Sequence, residues 1–440
     1  MDRATASASS LPELWRAFLR IGLLSFGGPA GQIALMHREL VDERGWISED
    51  DYLHALNVCH LLPGPEAQQL ATWIGWRLHG WRGGLVAGLL FVIPGSLVIL
   101  ALSILYAMAA NLAWFSAIFL GVKAAVLAIV VQALLRIAGR ALDTRFKQGL
   151  AAAAFVALFV LDLPFPLIVL GAGAAGMPVA STRPDWLALK PGAASAPVGP
   201  RPWSSTIQSV AIWGVIWGTP MALVAATLGI DHVLWDIGAF FSQLAVVTFG
   251  GAYAVLAYMA QEAVQGFGWL QPGEMADGLG LAETTPGPLI MVTQFVGFMG
   301  AFREASGLSP LMAATLGGLL TTWVTFVPCF LSIFLGAPFI ERLRDNAVLT
   351  AALTAITAAV VGVILNLAVW FGLHVVFDEV RTVTAYGLDL DVPVWSTVNL
   401  AAAALVLAAL VAVFRFRLGA VTVLAGCALA GVALASVGLT

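Results

Sequence analysis

The stretch Leu61-Leu62-Pro63-Gly64-Pro65-Glu66-Ala67-Gln68-Gln69-Leu70-Ala71-Thr72 sits inside an apolar run long enough to cross a bilayer. Proline lacks an amide donor and clashes with the preceding turn, so one helix must stop here and another must start. The freed carbonyls and amides then lie at membrane depth, where hydrocarbon does not tolerate them, and must face a cavity, water or a ligand. Pro65 suits the first position of the new half-helix, whose unpaired amides and positive dipole end point at an anion. A kink satisfied by neighbouring helices is the plainer alternative.

The same tripeptide returns as Pro286-Gly287-Pro288, 286 − 63 = 223 residues later. That shift also superimposes Phe26-Gly27-Gly28 on Phe249-Gly250-Gly251, Glu39 on Glu262 and Trp46 on Trp269. Past a length change near residues 303–309 the shift becomes 234, pairing Gly83-Gly84 with Gly317-Gly318, Pro94 with Pro328 and Gln132 with Asn366. The chain therefore reads as two copies of one unit. Repeats with helices broken at corresponding positions are the mark of secondary transporters, whose site lies near the midplane.

Composition agrees. Of 440 residues, 60% are hydrophobic and only 10% charged, and the mean hydropathy is +0.92; a soluble chain carries about 25% charged residues. Charge-free runs from Gly83 to Val122, Ala305 to Ile340 and Asn346 to Phe377 each exceed the roughly 20 residues that span hydrocarbon. Barrel strands would show short alternating segments instead, so the expectation is an all-α polytopic membrane protein. The net charge of −4 supports no nucleic-acid partner. Cys59, Cys329 and Cys427 lack metal-ligand spacing and read as buried small hydrophobes. No cleavable leader, cofactor or metal is called for.

About thirteen transmembrane or re-entrant segments follow. Those of the first copy, residues 10–180, fall near 17–36, 52–76, 84–108, 112–136, 149–161 and 164–180. Residues 181–232 hold a Pro/Ala/Ser/Gly-rich linker and one connecting helix near 207–229. The second copy, 233–440, has segments near 237–260, 276–300, 309–336, 347–375, 394–414 and 418–440. Six crossings plus one place the second copy upside down. Arg136, Arg140, Arg145 and Lys147 fill one loop, whereas its counterpart from Asp378 to Asp391 holds four acids and one arginine; cytoplasmic loops favour Lys and Arg, so the repeats are inverted. Segments beside each Pro-Gly-Pro either cross fully or re-enter.

Polar residues mark the candidate site. Gln68, Gln69 and Thr72 follow the first break, and Thr285, Gly287 and Gln294 with Gly64 offer the same donors around both. Pro63, Pro65, Pro286 and Pro288 make the breaks; Gly27, Gly28 and Pro29 with Gly250 and Gly251 interrupt two further segments, for close packing or for the site itself. Lys123 lies eleven residues from Leu112 and thirteen from Arg136, about 16 Å from either helix end, too deep to snorkel. It would hold an anion, exchange a proton, or pair structurally with Glu66. Arg38 is the other cation, since a guanidinium grips tetrahedral oxyanions bidentately and Glu39 could orient it. No nucleotide-binding, metalloprotease or nucleophile-elbow pattern appears, so no enzyme is expected.

The runs Phe26 to Glu39 (FGGPAGQIALMHRE), Trp46-Ile47 and Leu61 to Thr72 resemble the chromate ion transporter family, across essentially the whole chain, in its long two-domain form. The resemblance implies a bacterial inner-membrane protein that expels chromate, driven by the proton motive force, with sulfate as competitor. Glu66, and with it Glu39, would then carry protons. Sulfate or another oxyanion transporter and a passive anion channel stay open, as does a homodimer. In the second copy Pro29 becomes Ala252, Gln32 becomes Val255, and the EAQQ after the break becomes Leu289, Ile290, Met291 and Val292. The polar half of the site is therefore expected from copy one.

Overall fold

A computed structural model describes residues 10–26, 28–60, 62–109, 112–188, 203–248, 252–344, 347–385 and 388–438. Before the linker the helices are α1 (Leu11–Leu24), α2 (Gly28–His37), α3 (Glu49–Cys59), α4 (Glu66–Ala109), α5 (Ala113–Ala141), α6 (Arg145–Phe159) and α7 (Phe165–Thr182). After it come α8 (Trp203–Thr227), α9 (Val233–Val247), α10 (Ala252–Gln261), α11 (Glu274–Thr284), α12 (Val292–Arg303), α13 (Pro310–Arg344), α14 (Ala347–Val376), α15 (Leu400–Phe414) and α16 (Ala420–Ser436). Six described helices are long and apolar enough to cross a membrane, and several shorter ones are apolar.

Each expected segment beside a break is in fact two pieces. α1 and α2 replace 17–36, α9 and α10 replace 237–260, and α11 and α12 replace 276–300. Pieces of 10–15 residues rise only about 15–22 Å, short of the ~30 Å hydrocarbon core. α1 is capped at its start by Ser10, whose hydroxyl accepts from the Glu13 amide while the Glu13 carboxylate accepts from the Ser10 amide. It ends at Ser25, and Gly28 (φ +69°) takes the left-handed turn that lets α2 begin. α2 and α10 both run into a π-helical turn at matched positions, Arg38–Glu43 and Glu262–Gly266. α4 turns sharply at His79 and Gly80 (φ +60°), the boundary expected between two segments.

The chain forms two compact units that interleave in sequence. The first comprises residues 1–105, 196–252 and 281–342, and the second 106–195, 253–280 and 343–440. Both draw on both copies. The first has a core of Leu14, Phe18, Ile21, Met36, Tyr52, Ile74, Phe91 and Ile333, all fully or almost fully buried. α8 is held to α13 by two tryptophans, Trp217 Nε1 donating to Val324 O (3.1 Å) and Trp323 Nε1 to Ile216 O (2.9 Å).

In the second unit, α14 packs against α5, α6 and α7, and α16 lies along α5. Small residues set these approaches: a Cβ on Gly121 would meet Cys427 O, one on Gly431 would meet Ala117 O, and one on Gly362 would meet Ala151 O. The acidic loop after α14 differs from the expectation. It is an antiparallel hairpin, β1 (Val380–Ala385) with β2 (Leu388–Pro393), in which Thr382 Oγ1 donates to Asp391 Oδ1 at 2.9 Å. β1 is rich in β-branched residues (Val380, Thr382, Val383, Thr384), and along β2 the apolar Leu388, Leu390 and Val392 alternate with Asp389 and Asp391.

Candidate functional site

Both Pro-Gly-Pro breaks belong to the first unit, and each is tied to the other copy. Gly64 N donates to Thr248 O and Gly287 N donates to Ser25 O, both at 2.9 Å. Ser25 and Thr248 are themselves 223 residues apart, so the two bonds are one interaction made twice, in exchange. Gly64 (φ +117°) and Gly287 (φ +95°) adopt backbone that favours glycine. Gly95 packs on Pro286 O, while its counterpart at the 234-residue shift, Cys329, packs on Gly64.

Glutamines brace these breaks. Gln69 Nε2 donates to Pro63 O (2.6 Å), Gln32 Nε2 to Gly287 O (2.5 Å) and Gln294 Nε2 to Ser96 O (3.0 Å). Gln294 is held at its other end too, where Thr322 Oγ1 donates to Oε1 at 2.8 Å. Gln68 differs: its amide reaches only Thr72 Oγ1, at 3.3 Å, while that hydroxyl donates to Gln68 O at 2.9 Å. Gln32, Gln68, Gln69, Thr72 and Gln294 are buried, and Oε1 of the first three has no partner. The first-turn amides of α4, at Glu66, Ala67 and Gln68, have no intrahelical acceptor. Thr285, beside the second break, donates to Ala282 O at 2.9 Å.

The charged candidates fall elsewhere. Glu66, with its side chain 14% exposed, meets His60 Nδ1 at 2.9 Å. Lys123 belongs to the second unit and lies 3.5 Å from Asp277. The Lys123–Glu66 pairing considered from sequence is therefore replaced by two separate pairs. Glu39 does not orient Arg38: it is fully buried between Arg20 (3.2 Å) and Arg44 (3.6 Å), and Arg44 also stacks on Trp46. Arg38 has a side chain 60% exposed and sits 3.6 Å from Glu43. The physical reason is that side chains at i and i+1 of a helical turn point to different sides, so Glu39 faces the buried side while Arg38 faces out.

Gly28 and Pro29 open α2 as expected, whereas Gly27, Gly250 and Gly251 lie outside the described residues. Sequence reading missed Ser25, Thr248, His60, Asp277 and the buried Glu283, three residues before Pro286. Ser25 and Thr248 carried a usable signal, since they obey the 223-residue shift. His60 and Glu283 obey it too, but differ in type.

A duplicated set of broken apolar helices, braced by buried amides and linked by exchanged backbone bonds, defines a multi-pass membrane protein of the transporter class. A family model described as chromate transporter matches residues 12–177 and 235–432, and the chain belongs to that family. A chromate transport protein of Pseudomonas aeruginosa is 34% identical over 81% of this chain and 79% of its own length. A probable chromate transport protein of Synechococcus elongatus is 28% identical over 84% and 87%. A third, from Cupriavidus metallidurans, is 29% identical over 82% of each. No solved structure matches the chain.

Proposed function

We propose that this chain moves chromate outward across a bacterial inner membrane as a secondary transporter, with sulfate as competitor and no enzymatic step. The exchanged bonds from Gly64 to Thr248 and from Gly287 to Ser25 carry the reading, because they place both breaks in one unit. Family membership supports the substrate. The repeats, 10–180 and 233–440, are inverted about the linker and helix of 181–232; the Lys/Arg asymmetry of their loops supports this.

The site uses backbone and amide donors. The first-turn amides of α4, Gln68 and Thr72 face the oxyanion, with Thr285, Gly287 and Gln294 shaping the opposite wall and Gln69 and Gln32 fixing the breaks. Gln68 is the mobile donor: rotating its amide gives up only the 3.3 Å bond to Thr72, and its buried, unpartnered oxygen leaves little else to lose. Arg38, exposed on its turn, attracts anions from solution. Glu66 takes up a proton beside His60, and Glu39 is the second acid assigned to coupling. A dianion also moves outward down the membrane potential, at about 2.3 kcal/mol per charge per 100 mV.

Everted membrane vesicles provide the test. Radiolabelled chromate should accumulate on energisation, collapse with an uncoupler and be displaced by excess sulfate. Uptake that only equilibrates would indicate a channel or uncoupled carrier, and no uptake would overturn substrate or direction. If Glu66→Gln left transport and its pH dependence unchanged, the proton role of Glu66 would be wrong.

A further inference from the structure

The second unit holds a cluster of ionisable groups, built on Lys123 in the middle of the apolar α5, that the site above does not use. Asp277, near the start of α11, is buried, with its side chain 5% exposed. Its Oδ2 accepts from the Tyr106 hydroxyl at 2.8 Å and lies 3.5 Å from Lys123 Nζ. Its Oδ1 is also buried and has no hydrogen-bond partner. The three groups come from three elements, α4, α5 and α11. Tyr106 is held by edge-on contacts with Phe115 and Phe119. Gly273 leaves room for the ammonium, since a Cβ there would stand 2.8 Å from Lys123 Nζ.

Packing alone does not account for this arrangement. A carboxylate that needs only a structural partner would be expected to use both oxygens, because a buried acceptor left unpaired costs about 1–3 kcal/mol. Here one oxygen takes both partners and the other is bare. The bare oxygen is where a proton can bind without displacing either partner. Nor is the cluster part of the repeat: the counterparts of Lys123 and Asp277 are Thr357 and His54.

We propose that the carboxyl of Asp277 is a second proton-binding site of the transport cycle, with Lys123 and Tyr106 as its positioning residues. The proton adds to Oδ1, Oδ2 keeps the Tyr106 hydrogen bond, and Lys123 stays an ammonium. The cluster thus passes from net neutral to net +1, a unit change of charge inside a membrane unit, which is the kind of local event that biases a two-state carrier. The titratable groups around Asp277 are Tyr106, Lys123 and, on its own helix, Glu274. The proposal rests on the proton-coupled reading above.

The test uses purified full-length protein in proteoliposomes, with the membrane potential clamped and a pH gradient imposed. Wild type should shift its net chromate flux with the gradient. Asp277→Asn, a neutral isostere, should keep chromate-for-chromate exchange yet lose at least about tenfold of the gradient response, a split that a structural defect would not produce. Asp277→Glu should recover part of it, and Gly273→Ala, which crowds the ammonium without removing a titrating group, should move the pH at which the response is half-maximal. Infrared difference spectra of the same protein should show a carboxylic-acid carbonyl band on acidification that Asp277→Asn lacks. An Asp277→Asn protein that responds to the gradient like wild type, or that retains the band, overturns the proposal. If Asp277→Asn does not fold, Lys123→Ala/Asp277→Asn removes the stranded charge and is judged by the same two readouts. A wild type that ignores the gradient overturns the proton-coupled reading itself, and the infrared band then reports on Asp277 separately.

Discussion

The two Pro-Gly-Pro breaks share their backbone and differ in what surrounds it. Each glycine amide donates to a carbonyl of the other copy at the same distance, 2.9 Å. After the first break come Glu66, Gln68 and Gln69; after the second come Leu289, Met291 and Val292, all buried and apolar. The glutamine that copy two itself supplies near the second break, Gln294, is bonded at both ends, whereas Gln68 is held by a single long bond. The two copies thus share a scaffold and differ in side-chain chemistry: apolar residues follow the second break, and amides follow the first; in the function proposed above, the donors that meet a substrate come from copy one.

Glycine replacement should separate the breaks most strongly. Gly64→Ala carries about 1–2 kcal/mol of left-handed strain, and its Cβ would stand 2.7 Å from Cys329 Sγ and 3.0 Å from Gln69 Nε2, adding overpacking of about 1–3 kcal/mol. Gly287→Ala carries the same strain with a milder contact, its nearest neighbour being Gly95 Cα at 3.3 Å. Thermal unfolding in detergent should rank Gly64→Ala lower, with Cys329→Ala added to it restoring part of the loss. Equal destabilisation would mean the breaks are packed alike.

Losing a brace should cost less. Gln69→Leu strips Pro63 O of its side-chain donor and Gln32→Val, which installs the copy-two residue, does the same to Gly287 O, each at about 1–3 kcal/mol. Both should lower the unfolding midpoint and chromate flux together. A midpoint unchanged in either would show that water already serves that carbonyl.

The smallest expected difference is in pH response. His37, the last residue of α2, contacts Glu49 (Nε2, 2.5 Å) and Asp42 (Nδ1, 3.2 Å). Burial pulls its imidazole down, but the two carboxylates outweigh this and hold it above its ordinary value. A raised histidine contributes stability that is complete below its unfolded value of about 6.5 and is lost as pH rises through the higher folded value. Hydrogen exchange in residues 28–60 should therefore quicken over that window relative to His37→Gln. The matching segment of copy two, which has Ala260 in α10 at this place, should show no such step. A step that survives His37→Gln would remove the assignment.

Much of this was legible in the sequence. Proline and glycine announce backbone breaks locally, and a repeat announces its own partners by a constant shift, so Pro63, Gly64 and Pro286 could be placed from sequence. The braces were not legible, because Gln32 and Gly287 meet only through the exchange between copies. Neither was the Lys123–Asp277 pair, since Asp277 lies between Glu274 and Glu283 in sequence, and nothing in that run marks one of the acids as buried against Lys123. Arg38 and Glu39 do not pair because neighbouring side chains on a helical turn point to different sides. The 380–393 hairpin reads as a loop from its acids, although Leu388, Leu390 and Val392 alternate with Asp389 and Asp391.

The central claim is that the donors of copy one, and not their copy-two equivalents, hold the oxyanion. Equilibrium binding of radiolabelled chromate to purified protein tests it most directly, comparing Gln68→Leu with Met291→Leu, the substitution at the position 223 residues on. Loss of one hydrogen bond to a charged ligand, about 1.5–3 kcal/mol, should weaken Gln68→Leu by roughly tenfold or more and leave Met291→Leu near wild type. Equal affinities in the two variants, or the larger loss at Met291, would contradict it.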